Sequence, residues 1–333
     1  MKISYKTVVI GEHTGYGNAS RLLTTALRDR GVEILPDLDV RLNFCMPPDY
    51  EFGDRLTIGY TPWESTEVPQ NWVAGLKAVD DLWVTSGFVK DVFARYRKNR
   101  AEDIFVLPHG IENCWEPVGH RRDRSRPFRF LHVGEPAERK GGELVLEAWH
   151  KAFKDRKDVE LWMKCVKYPR ARVKDKSGSI IASPGMFENN LKIISHVMTQ
   201  QELWDLYRNV DCLVYPTRGE GWGLIPWEAQ ASGLPTIVPA LGVASDVALH
   251  STLQLQNYEW VPSDNQQIHP GEWLDLDVDE LILKMQVMVR DYDYYAGHQE
   301  FAASRIHKNY SWESVADQAI ERIEYMLTKY EPN

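Results

Sequence analysis

Short apolar runs bounded by Gly, Pro and polar residues alternate with amphipathic stretches from one end of the chain to the other. Brief apolar runs read as buried strands and a 3.6-residue period as helices, so the alternation predicts an α/β protein with parallel sheets. In the first part, KTVVIG (6–11) is a strand, HTGYGN (13–18) a turn, ASRLLTTALRDRG (19–31) an amphipathic helix closed by Gly31, and VEILP (32–36) a second strand. LTIGY (56–60), DLWVTS (81–86) and IFVLPHG (104–110) are further strands, and FVKDVFARYRK (88–98) is a helix with Val89, Val92, Phe93 and Tyr96 on one side. EPVGHRRDRSRP (116–127) is polar, basic and Pro-flanked, and reads as a linker. Beyond it the pattern restarts. FRFLHVG (128–134), VELWMKCV (159–166), LKIISHV (191–197), DCLVYP (211–216) and TIVP (236–239) read as strands. GELVLEAWHKAFK (142–154), QQELWDLYRN (200–209) and a segment from Leu224 read as helices, with a loop over 168–190. An irregular acidic stretch then leads to the helix DELILKMQVMVRD (279–291). The last helix, 312–330, has Ser311 at its cap and Val315, Ala319, Ile323 and Leu327 as its apolar stripe.

At 333 residues the chain has room for two domains. A net charge of −9 argues against a duplex nucleic-acid binder, which needs a basic face, but leaves room for a local basic cleft. The four cysteines (Cys45, Cys114, Cys165, Cys212) form no C-x-x-C pair, so neither a disulfide framework nor a zinc cage is expected. MKISYKTVVIGEH enters a strand without the apolar region of a signal peptide, and no run of apolar residues is long enough to span a bilayer, so a cytoplasmic location is the expectation. The helix from Phe88 to Arg100 carries Lys90, Arg95, Arg97, Lys98 and Arg100. It is a candidate for weak peripheral membrane contact, with a solvated basic face as the plainer reading.

The densest chemistry lies in YPTRGEGWGLIPWEAQASGLPTIVP (215–239). Glu220 falls at a strand's carboxyl end and Glu228 about one helical turn further on. Gly221 and Gly223 permit a tight turn between them, and Pro226 is tolerated in the first turn of the helix. Free N–H groups at that helix start favour an anion, and a carboxylate accepts two hydrogen bonds at once, which matches a vicinal diol. Together these suit a nucleotide-sugar, one glutamate holding a sugar ring and the other a ribose. Arg139 and Lys140, in GEPAERKGG, add two cations beside a second helix start, a site for a diphosphate. Lys164, an interior-strand charge, is a further candidate. GEHTGYGNAS (11–20) offers Gly15 and Gly17 for close backbone approach, and TIGYTPWESTEVP (57–69) offers Glu64 and Trp63 as polar and stacking groups.

The 215–239 segment resembles the E-x7-E signature of the retaining glycosyltransferases of family 4. Pro216, Thr217, Glu220, Gly221, Trp222, Gly223, Leu224, Glu228, Ala229, Ala231, Gly233 and Pro235 match it. The resemblance implies a GT-B fold: two Rossmann-like domains facing across a cleft, over 1–117 and 118–310, with 311–333 packing back on the first. It implies a nucleoside-diphosphate sugar donor (UDP or GDP), a hydroxyl acceptor, and no metal or covalently bound cofactor. Glu220 would meet the donor sugar and Glu228 the ribose. Gly221, Trp222, Gly223 and Leu224 would offer N–H groups, Val197 would pack the base, and Lys140 would hold the diphosphate. Across the cleft, Gly15, Tyr16, Gly17, Glu64 and His109 would form the acceptor side. The chain departs from the pattern at Glu135, where the family often has arginine, so Arg139 or Lys164 is the substitute, and no histidine occurs in 57–69. Two alternatives stay open: a GT-B nucleotide-sugar epimerase, and a dinucleotide oxidoreductase. The latter rests on Gly15-x-Gly17 opening a helix and Asp37 lying 20 residues beyond, with Ser20 in place of the third glycine.

Overall fold

The computed structural model describes residues 1–7, 14–97, 101–117, 119, 122–135, 137–165, 173–174, 180–182, 190–241 and 252–329. Its first sheet takes β1 (Lys2–Thr7), β2 (Glu33–Ile34), β3 (Val40–Phe44), β4 (Leu56–Tyr60), β5 (Asp81–Val84) and β6 (Ile104–Val106) in the order β2-β1-β3-β4-β5-β6, all parallel. Its second takes β7 (Phe128–Val133), β8 (Val159–Lys164), β11 (Leu191–Ile194), β12 (Cys212–Val214), β13 (Thr236–Pro239) and β14 (Thr252–Leu255) in the order β11-β8-β7-β12-β13-β14, again all parallel. Near-continuous apolar sequence is what a strand covered on both faces requires. The helices α1 (Gly15–Asp29), α2 (Trp72–Ala78) and α3 (Gly87–Ala94) cover the first sheet. The second is covered by α4 (Gly142–Ala152), α5 (Gln200–Arg208), α6 (Leu224–Ala231) and α7 (Val278–Arg290).

Two small antiparallel pairs complete the strands: β9 (Val173–Lys174) with β10 (Ile180–Ala182), and β15 (Tyr258–Pro262) with β16 (Glu272–Leu276). After α7 the chain forms α8 (Tyr292–Asn309) and α9 (Trp312–Lys329). Ser311 Oγ accepts from the Ser314 N–H, as its capping position predicts. Val315, Ala319 and Ile323 of the expected stripe are buried together with Ala316 and Met326, in the same cluster as Leu23 and Leu27 of α1. The chain's last helix thus rests on its first.

Several expectations shift. The first strand lies at Lys2–Thr7, and the remainder of 6–11 falls outside the described residues. HTGYGN is not a turn throughout: α1 begins at Gly15, because Thr14 caps it by accepting from the Gly17 N–H at 3.1 Å. The two glycines therefore sit inside a helical turn, not in the loop a dinucleotide fingerprint needs. β3, α2, β15, β16 and α8 stand where no element was expected. Two of the linker arginines are paired: Arg126 forks onto Asp211 at 2.7 and 3.0 Å, and Arg124 reaches Asp293 at 2.6 Å. The basic stripe on 88–100 is also broken. Arg97 is buried and donates to the Leu76 and Val79 carbonyls at the end of α2, and Arg95 donates to the Thr66 carbonyl. Lys98 and Arg100 lie outside the described residues. Among the described residues no helix is long and apolar enough to cross a membrane.

Candidate functional site

In an open parallel sheet, a crevice forms at the strands' carboxyl ends where the winding reverses. In the second sheet that point lies between β7 and β12. The chain leaves β7 through Gly134 and a single 3-10 turn, Glu138–Lys140, before entering α4. It leaves β12 through Tyr215 to Gly223 before entering α6. The two loops are knit together: the Arg218 N–H and the Thr217 hydroxyl both donate to the Arg139 carbonyl, at 2.7 and 3.0 Å. Gly141 has φ 68°, and a Cβ there would lie 2.1 Å from the Pro216 carbonyl oxygen, so only glycine lets the loops approach this closely.

The outcome is a cluster around one carboxylate oxygen. Glu220 Oε1 accepts from Lys140 Nζ at 2.5 Å and from the Tyr215 hydroxyl at 2.9 Å, and the Thr217 hydroxyl stands 3.1 Å from it. Arg139 stands 3.3 Å from the same oxygen while donating to the Gly219 carbonyl at 2.6 Å. Oε2 takes none of these contacts. Burial by itself raises the Glu220 pKa, but the Lys140 and Arg139 charges and the hydrogen bonds outweigh it and bring the group down to about 2. The carboxylate is therefore ionised, and two cations are concentrated where an anion can take them over. Beside them α6 begins after Gly223 with no side-chain cap, leaving its first N–H groups open.

Glu228, the second acid, behaves oppositely. It is 8% exposed and its Oε2 has no hydrogen-bond partner. Burial first, and the nearby Glu112 second, push its pKa well up. Lys164 ends β8 beside Val133, is mostly buried, and makes no ion pair among the described residues; burial pulls its pKa down. Val197 is 64% exposed in the turn between β11 and α5.

The first half meets this cluster directly. A Cβ on Gly15 would lie 3.1 Å from the Leu224 side chain, Gly221 packs on the Trp63 backbone, and Thr85 Oγ1 donates to the Gly221 carbonyl. Tyr16 stacks on Phe44 with centroids 4.7 Å apart, and the Gly17 N–H is used by the Thr14 cap. Glu64 stands 3.9 Å from Arg139 and 3.8 Å from His269. His109 lies behind the cleft, not in it: it is 3% exposed and ringed by Phe44, Tyr60, Trp222 and Trp312, and neither ring nitrogen has a partner. Burial lowers its pKa to about 3, so it is neutral. Trp63 is buried against Trp72 and offers no free stacking face.

Sequence reasoning missed Tyr215 and Thr217 as Glu220 partners, although both sit in the motif. It also missed the hairpin β15–β16, which reaches across to the first half. Ser65 Oγ donates to the Pro270 carbonyl at 2.8 Å, and Thr66 and Glu272 exchange two hydrogen bonds at 2.8 and 3.1 Å. Beside Glu220 this arrangement leaves a cleft lined in part by Glu64, Phe88, Thr217 and Trp260.

A family model described as family 4 glycosyltransferase in conflict systems matches residues 89–319. The D-inositol 3-phosphate glycosyltransferase of Arthrobacter sp. (strain FB24) is 25% identical over 150 residues, which cover 42% of this chain and 35% of that protein's length. HepE of Anabaena, solved in complex with UDP-glucose, superposes with a TM-score of 0.69 at 13% identity, covering 98% of this chain and 100% of that one. Sucrose-phosphate synthase from Thermosynechococcus elongatus gives 0.64 at 14% identity, covering 98% and 99%. The fold is GT-B, two parallel α/β halves of the kind these glycosyltransferase structures share.

Proposed function

The chain belongs to the family 4 glycosyltransferases of conflict systems, and on that premise we propose that it moves a sugar from a nucleoside-diphosphate sugar to a hydroxyl acceptor with retained configuration. The observation that carries this reading is the convergence of Lys140 and Arg139 on Glu220 beside the uncapped start of α6. In this reading residues 118–310 form the donor side and 1–117 the acceptor side, with 311–333 returning to the first. The diphosphate takes over the two cations and the N–H groups from Gly221 to Leu224, and Lys164, at the end of β8 beside Gly134, is the candidate third charge. Glu220, released, accepts hydroxyls of the donor sugar, and Glu228 accepts those of the ribose.

Negative charge grows on the departing diphosphate as its bond to the anomeric carbon breaks. Fixed cations and backbone dipoles stabilise that charge, and this is the main source of rate in the proposal. The acceptor oxygen bonds to the same face of the sugar, and its proton passes to a donor phosphate oxygen. UDP is the first donor nucleotide to test, since HepE holds UDP-glucose, and GDP is the second. An exposed, unpaired Cys114 is in keeping with a reducing, cytoplasmic compartment.

The test is a panel of UDP- and GDP-sugars scored by thermal shift and by nucleotide release. At least one should bind. Lys140→Ala should lower turnover about 100-fold, the loss of about 3 kcal/mol of charge stabilisation. Unchanged turnover in that variant would remove Lys140 from the mechanism, and failure of every nucleotide to bind would remove the donor assignment.

A further inference from the structure

The side chain that bridges Lys140 to Glu220 is uncharged. Tyr215 directly follows β12 and is 1% exposed. Its ring lies over His132 of β7, with centroids 6.1 Å apart and planes 25° apart. His132 is fixed in turn. Its Nδ1 lies 2.9 Å from the Val214 carbonyl oxygen, and a Cβ on Gly134 or Gly142 would come within 3.2 or 3.3 Å of its Nε2. Those two glycines bracket the Lys140 turn, so the ring pair is wedged under the loop. The Tyr215 hydroxyl is thereby held in the site, where it donates to Glu220 Oε1 at 2.9 Å and accepts from Lys140 Nζ at 3.1 Å.

We propose that Tyr215 is a positioning residue of the donor site, keeping the Glu220 carboxylate in place while Lys140 and Arg139 pass to the donor diphosphate. The proposal rests on the transferase reading above. Without a donor, Glu220 Oε1 has two cations beside it, Lys140 at 2.5 Å and Arg139 at 3.3 Å. A diphosphate that draws both away leaves a buried carboxylate in need of a donor, and a buried charge without a partner is costly. Two hydroxyls stand near that oxygen. Thr217 has one proton and three acceptors within 3.2 Å: the Arg139 carbonyl, the Gly219 carbonyl and Glu220 itself. Among the described residues the Tyr215 hydroxyl has one proton and one acceptor, Glu220.

Two other roles do not fit. A ring needed only for packing could be phenylalanine, yet both hydrogen bonds of this hydroxyl go to site residues. A proton carrier would have to ionise near neutral pH. Burial, with the Glu220 charge added, holds the phenol well above its ordinary value of 10, so it stays a hydrogen-bond donor.

The experiment is a double-mutant cycle on nucleotide affinity, read by titration calorimetry with UDP and with GDP. Neither carries a sugar, so Glu220 enters only as the group that must release Lys140. Tyr215→Phe removes one oxygen atom and keeps the ring over His132. It should weaken nucleotide binding roughly tenfold, the scale of one hydrogen bond to a charged group. In a Glu220→Gln background, where no charge is left stranded, the same change should alter binding by less than about twofold. Circular dichroism and urea denaturation check that each variant folds. An equal loss in both backgrounds is what packing alone would give, and it overturns the proposal. So does unchanged affinity in Tyr215→Phe, and so does a Tyr215→Phe protein that fails to fold, which would assign the hydroxyl to stability. Wild-type protein that binds neither nucleotide sinks the donor assignment, and the role of Tyr215 with it. Wild-type binding without coupling between the two positions sinks only Tyr215.

Discussion

Glu220 and Glu228 are eight positions apart and electrostatically opposite. Glu220 is held at about 2 by cations that outweigh its burial. Glu228 has burial without compensation and an unpartnered Oε2, so its pKa lies well above the ordinary 4.5. For a carboxyl with a raised folded pKa, the linkage sign is fixed. The group costs the fold nothing below its unfolded pKa, and stability is lost as pH rises from there through the folded value. Replacing Glu228 by the neutral, near-isosteric Gln should therefore leave stability at pH 4 nearly unchanged and raise it at pH 8 by about 1–3 kcal/mol, the scale of a buried unsatisfied group. Urea denaturation at the two pH values checks this. The same variant should bind UDP more weakly, because an amide oxygen accepts less strongly from a ribose diol than a carboxylate does. Higher stability with lower affinity is the pattern of a functional site that strains its own fold. A Gln variant less stable at pH 8 would mean that Glu228 is already satisfied in the folded protein.

At the scale of elements, one backbone position sets the spacing of the two site loops. Gly141 joins the Lys140 turn to α4 in the left-handed region, hard against the Pro216 carbonyl. Gly141→Ala should lower stability by about 1–2 kcal/mol from the backbone alone. It should also weaken UDP binding, by moving Lys140 away from Glu220. Gly87→Ala, with nothing within 4 Å of the added carbon, should do neither, and chemical denaturation with UDP titration of both variants separates them. The strands around these loops were readable because a parallel strand covered on both faces is a plain apolar run, as β4, β7, β12 and β13 are. β3 was not, because VRLNF interrupts the run with Arg41 and with Asn43, which is buried only because it donates to the Glu51 and Ile58 carbonyls. α8 was hidden because it follows α7 after Asp291 alone and carries a mixed polar and aromatic sequence with a weak stripe. Lys140 and Glu220 were each legible as site candidates from the glycines beside them, but their direct pairing was not, since it depends on the approach of two loops 80 positions apart. Nor was the Trp260–Phe88 contact: it depends on a hairpin whose partner surface is some 170 positions away in sequence, and no local periodicity encodes that contact.

The whole molecule is closed by contacts between distant parts of the chain, and the firmest joins its end to its beginning. Asp81, fully buried on β5, accepts from Arg322 of α9 at 2.6 and 2.8 Å and from the Trp83 indole at 2.7 Å. Lys329–Asp103 at 2.8 Å and Arg30–Asp317 at 2.6 Å hold the same helix further out. The exposed Arg30–Asp317 pair is worth little, but removing one partner of a buried pair strands the other charge without water. Arg322→Ala should accordingly cost about 3–5 kcal/mol, and adding Asp81→Asn should recover part of that loss by removing the stranded charge. Because α9 shares its core with α1 and not with the second sheet, the loss should also be local. In hydrogen exchange, α1, β5 and α9 should open together while β7 and β8 keep their protection. Equal loss of protection in both sheets would mean that the two halves unfold as one unit, with α9 belonging to neither alone. If instead the second sheet stays intact, that half stands as an independent body, and α9 is what completes the first half alone.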